Sequence, residues 1–100
     1  MPLYTVTIQF EDRTFAIEQL EAEAPRQALN GAFQQSEALA TYGSLAVSAM
    51  IEHVHVYQVA KIIGVWNWHV IPGSAGITSE VYGGAIFQTD PNGPLRNISA

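Results

Sequence analysis

The sequence predicts an α+β fold: one antiparallel sheet of four to five strands with one helix across one face, in the order β-β-α-β-β and a further strand after it. Three observations carry this expectation. Residues 3–10 alternate strictly between apolar and polar, a single stretch after Pro25 has helical spacing, and the second half is rich in β-branched residues punctuated by glycine and proline.

Tyr4, Val6, Ile8 and Phe10 share one parity and Thr5, Thr7 and Gln9 the other, the signature of a half-buried strand. Glu11-Asp12-Arg13 supplies a charged turn, and residues 14–22 resume with Phe15 and Ile17 on one face. Leu20 has the opposite parity, which predicts a bulge or bend near Glu18 and Gln19. Pro25 suits the first turn of a helix, and Ala28, Leu29, Ala32, Phe33, Ser36 and Leu39 recur at three-four spacing, giving roughly four turns. Gly31 inside that helix marks a close approach to the sheet, and Tyr42-Gly43-Ser44 ends it.

Residues 46–59 read as strand, with Val54 and Val56 on one face and His53, His55 and Tyr57 on the other. A break is expected between Ala60 and Gly64, because a longer strand would exceed the usual length. Residues 65–71 form the next strand, closed by Pro72-Gly73. Residues 81–89 form the last, weakened by Gly83-Gly84, before a type I turn at Asp90-Pro91-Asn92-Gly93. Residues 1–89 are thus expected to be one α+β domain and residues 90–100 an extended tail.

The chain has 100 residues, is 48% hydrophobic and only 13% charged, and carries a formal net charge of −5. So few charges leave little to coat a surface, which points to self-association or a permanent partner. Arg13, Arg26, Lys61 and Arg96 are scattered, so no element bears the basic stripe that phosphate neutralisation requires, and nucleic acid is not expected as a partner. The absence of cysteine excludes disulfides, thiol catalysis and cysteine-bound zinc. Gln58, Lys61, Asn67 and His69 interrupt the long apolar stretch, and residues 1–7 lack the features of a signal peptide. A cytoplasmic protein without membrane partners or cofactors is the expectation.

All three histidines and both tryptophans fall within residues 50–71. One helix covers one sheet face, so the second face is expected to carry His53, His55, Tyr57, Trp66 and Trp68 and to bind a protein partner. One or both indoles are then interface anchors buried against another chain. As an alternative, His53 and His55 have the strand spacing that chelates zinc or copper, with His69 as a third ligand. No glutamate follows at the spacing that would complete such a site and no aspartate lies near to orient a ring, so surface or interface histidines are the preferred reading.

Met1-Pro2-Leu3-Tyr4 resembles the opening of the tautomerase superfamily. The resemblance implies that removal of Met1 would expose Pro2 as a catalytic base, its amine kept near neutrality by an apolar pocket and a cation such as Arg13. The pattern departs from that family after these residues, since tautomerases pass from the first strand to a helix and residues 14–22 read as a second strand.

No catalytic constellation stands out elsewhere. The functional expectation is a non-enzymatic protein-interaction module, either an assembly subunit or a small inhibitor or accessory protein of the kind mobile elements encode. Leu95 and Ile98, the substantial apolar residues of the tail, are expected to anchor it on a partner subunit or on its own sheet.

Overall fold

The computed structural model describes residues 1–71 and 81–89. Strands β1 (Leu3–Phe10) and β2 (Phe15–Glu21) form a hairpin. Three helices follow, α1 (Pro25–Gln35), α2 (Glu37–Ala40) and α3 (Ser44–Glu52), and then β3 (Val54–Gln58), β4 (Val65–Val70) and β5 (Val81–Thr89). The five strands make one sheet in the order β2-β1-β5-β4-β3, antiparallel throughout. The α+β class and the antiparallel sheet are as the sequence predicts.

Three corrections concern local elements. The expected single helix breaks at Ser36, whose backbone turns extended and whose hydroxyl accepts from the amide of Leu39 to start α2. Residues 46–52, expected as the start of a strand, belong to α3. Both parities there are apolar, so period two was never strict, and Val47 and Met50, three apart, are the residues it buries. The bulge expected near Glu18 and Gln19 is absent, for β2 pairs with β1 in unbroken register from Leu3 opposite Glu21 to Gln9 opposite Phe15. Leu20 and Ala16 face inward, and the parity change means that Phe15 and Ile17 face outward.

One face of the sheet carries the core. Tyr4, Val6 and Ile8 of β1, Ile86 of β5, Trp68 of β4 and Val54 of β3 meet Ala28, Leu29, Ala32 and Phe33 of α1. Gly31 lets α1 approach β2 closely, since a Cβ there would overlap the end of the Leu20 side chain. Helix α1 spans the width of the sheet. Near its start, Arg26 donates to the carbonyls of Val54 (2.7 Å) and Ile51, and at its end Gln35 donates to Glu18 Oε1 (2.8 Å) and to the carbonyl of Gln19 (3.3 Å). Ile51 lies in the last turn of α3, so Arg26 also satisfies one of that helix's orphan carbonyls.

Candidate functional site

Among the described residues nothing covers the face opposite the helices, and the register fixes what this open face displays. The β1 ladder places Leu3, Thr5, Thr7 and Gln9 beside Glu21, Gln19, Ile17 and Phe15 of β2. On the other side follow Thr89, Phe87, Ala85 and Gly83 of β5, then Val65, Asn67 and His69 of β4, then Tyr57 and His55 of β3. Glu21 is the one formal charge that the strands bring to this face. The exposed large residues of this face are Phe15 (63%), Ile17 (64%), Tyr57 and Phe87, with Tyr82 (64%) at its rim.

The relief of the face is set by side-chain size. Gly83, Gly84, Ala85 and Thr7 floor a shallow depression of about 400 Å³, with Gln9, Asn67, His69 and Tyr82 around it. Tyr82 joins this rim because the β1–β5 register shifts between Gln9 and Phe10, so that Gly83 lies opposite Gln9 but Val81 opposite Phe10. Phe15 and Ile17 rise on the β2 side. On the β3 side His55 stands directly opposite His69, with ring centroids 5.4 Å apart, and Tyr57 stacks on His55 at 5.4 Å and meets His69 edge-on at 5.8 Å. The result is a trough of small residues between an aliphatic-aromatic ridge and a cluster of three rings.

The residues predicted as partner-binding do not all share this face. His55 and Tyr57 do. Trp66 and Trp68 do not: Val56 pairs with Trp68 and Gln58 with Trp66, so both indoles lie under the helices. Trp68 is 2% exposed, packs edge-on against Phe33 at 5.1 Å, and is buried within the monomer, while Trp66 leans on Tyr4. The reason is register, since the β3–β4 turn aligns odd residues with odd ones and sets His55 across from His69 rather than beside Trp68. His53 is not in a strand at all; it caps α3, and its carbonyl accepts from the amide of Ile71. Leu95 and Ile98 lie outside the described residues.

Neither alternative chemistry is assembled. Only His55 and His69 of the three histidines come together, and among the described residues no group of three or more metal-ligating side chains forms. Pro2 and Arg13 sit at opposite ends of β1, an eight-residue strand of roughly 25 Å. The Pro2 carbonyl accepts from Ala22 in the hairpin ladder, and Arg13 lies in the turn with a left-handed φ of 72°. A larger cleft of about 560 Å³ between that turn and α2 is lined by Phe10, Glu11, Asp12, Thr14, Ala38 and Tyr42. Its Asp12 carboxylate is engaged by the hydroxyl and amide of Thr14 (2.6 and 3.0 Å), bonds that hold its pKa below the ordinary value of 3.8.

Sequence reasoning missed Phe15, Ile17, Phe87 and Tyr82. The signal for the first two was present: with Glu11-Asp12-Arg13 as the turn, Phe10 pairs with Thr14 and Ile8 with Ala16, which turns Phe15 and Ile17 to the side opposite the core. No helix among the described residues is long and apolar enough to cross a membrane. Comparison with known proteins finds no family model, curated protein or solved structure that matches the chain.

Proposed function

We propose that this chain is a non-enzymatic protein-interaction module, an assembly subunit or a small inhibitor or accessory protein, that docks a protein partner on the open face of its sheet. The observation that carries the reading is the composition of that face: exposed Phe15 and Ile17 on β2, Tyr57 on β3 and Phe87 on β5, with Glu21 as the sole formal charge among the strand residues described there. Depletion of charge with enrichment of aromatic residues characterises the centre of protein interfaces. Thr5, Thr7, Gln9, Gln19 and Asn67 add neutral hydrogen-bonding groups between the apolar ones, which suits a protein surface better than lipid. The expected partner surface is correspondingly uncharged and apolar at its centre.

The test uses Tyr57→Thr and Phe87→Thr together, because threonine keeps strand propensity while removing the ring. The parent chain is expected to take up a hydrophobic dye, and the double variant to lose most of that uptake at unchanged secondary structure. A parent chain that binds no dye would remove the basis of the reading.

A further inference from the structure

Strand register brings two histidines to one place. His55 of β3 lies directly across from His69 of β4, and the bonds on either side of them show what kind of pair this is. The amide of Val59 donates to Val65 and that of Ile71 to His53, so the odd-numbered residues form the hydrogen-bonded pairs of this ladder. In such a pair the Cα atoms stand about 5.5 Å apart. Both side chains lie on the open face, with ring centroids 5.4 Å apart. Tyr57, two residues along β3, stacks on His55 and meets His69 edge-on, so one phenol ring abuts both imidazoles.

That separation is the one a shared zinc ion requires. Zinc lies about 2.0–2.1 Å from an imidazole nitrogen and so about 3.2 Å from the ring centroid, and two rings held at the tetrahedral angle then have centroids about 5.2 Å apart. The 5.4 Å seen between His55 and His69 meets this value with almost no movement of either strand. Copper with two cis ligands in a square plane would draw the centroids to about 4.5 Å, a closer approach than this pair makes. Turning a ring about its Cβ–Cγ bond hardly displaces the centroid, because that bond points through the ring, yet it selects which ring atoms face the gap. The donors are two neutral nitrogens, which suit zinc rather than magnesium or calcium, and the chain has no cysteine to compete for the ion.

We propose that His55 and His69 form a two-histidine zinc site, with water in the two remaining positions of the tetrahedron. Gly83 leaves room for them. It pairs with His69 on the β5 side, where a Cβ would come within 3.3 Å of the His69 Cβ, and the trough of about 400 Å³ opens from there. The strand residues paired around the two histidines bring no lysine or arginine to this face, so no side-chain cation there opposes the ion. His53 takes no part, because it caps α3 outside the ladder. A bound zinc ion would give this end of the open face a positive charge, which docking through apolar residues does not call for, so the inference goes beyond the docking proposal.

The experiment titrates zinc chloride into the full chain, purified without a histidine tag and stripped of metal, and follows it by calorimetry. His55→Gln, His69→Gln and His53→Gln are titrated beside it, with circular dichroism to confirm that each is folded. The expected result is one zinc per chain in the parent and in His53→Gln, and affinity at least about tenfold weaker in each of the other two, since the first imidazole fixes the effective concentration of the second. In NMR spectra of the parent, zinc should shift the ring resonances of His55 and His69 and leave those of His53 in place, a readout that stands even where a variant fails to fold. Magnesium chloride should bind neither parent nor variants. Absence of saturable zinc binding by the parent, unchanged affinity in a folded His55→Gln or His69→Gln, ring shifts confined to His53, or equal binding of magnesium overturns the inference. A chain that binds zinc through this pair but takes up no dye refutes the docking reading alone, and one that takes up dye without binding zinc refutes the zinc site alone.

Discussion

The indole N–H of Trp68 donates to the main-chain oxygen of Thr7 at 3.1 Å, so a side chain of β4 reaches across β5 to bond β1. The β1–β5 ladder opens there: pairing runs to Val6 opposite Ile86 and resumes at Gln9 opposite Gly83. In the gap the Thr7 hydroxyl stands in for its carbonyl and accepts from the amide of Ala85 at 2.9 Å. Gly84 makes this possible, because a Cβ there would overlap the Thr7 carbonyl and crowd the indole nitrogen. The paired glycines are therefore a seat for Trp68 rather than a weakness in β5.

Gly84→Ala is expected to destabilise the fold by about 3 kcal/mol, since neither backbone oxygen nor buried ring can yield easily. Trp68→Phe keeps the ring but leaves the Thr7 carbonyl unpaired, at a cost of about 1–3 kcal/mol. Urea denaturation followed by circular dichroism measures both. A Gly84→Ala protein as stable as the parent would show that the indole does not lie across that glycine.

Arg26 joins α1 to the junction of α3 and β3 through two carbonyls. Its replacement by Met keeps the apolar stem and should cost about 2–3 kcal/mol, the usual range for charged hydrogen bonds left unmade. Lys should recover only part of this, because a compact ammonium lacks the planar fork that reaches two acceptors. Thermal melts of the three proteins decide the matter, and equal stability of the Lys variant and the parent would count against the two-carbonyl clamp.

The β1–β2 turn should respond to acid. Asp12 has a depressed pKa in the folded chain, caused first by the Thr14 hydroxyl and then by the Thr14 amide. A depressed carboxyl pKa stabilises the fold above the unfolded value, and that contribution is lost as pH falls through the folded one. Thr14→Val removes the larger cause. Its stability deficit relative to the parent should be present at neutral pH and shrink below the ordinary value of 3.8. In an NMR titration the Asp12 resonance of Thr14→Val should move towards that value; an unmoved midpoint would assign the depression to the amide alone.

How far the fold could be read from the chain depended on whether one periodicity prevailed locally. In β1 the alternation of Tyr4, Val6 and Ile8 with Thr5 and Thr7 admits one reading, and Pro25 followed by Ala28, Leu29, Ala32 and Phe33 admits one other. Residues 44–52 satisfy neither pattern cleanly, because alanine, valine and methionine occupy both parities, and there packing against α1 decided for helix. The site was less legible than the fold. Which face His55 and Trp68 occupy depends on the register across the β3–β4 turn, where Lys61 and Gly64 both take left-handed conformations. That geometry has no signature in the spacing of the strand residues themselves.

Strands β1 and β5 lie side by side at the centre of the sheet, and β5 alone connects the β1–β2 hairpin to the β3–β4 hairpin through backbone ladders. During synthesis the first eighty residues therefore hold two hairpins that have no common ladder. Tyr4, Val6 and Ile8 lack their second strand neighbour until the segment 81–89 has left the ribosome. Folding of this kind is dominated by contacts between distant parts of the chain, which slows it. Nascent chains stalled before residue 81 should be held by chaperones, and release of the final strand is the event that commits the protein to its native topology.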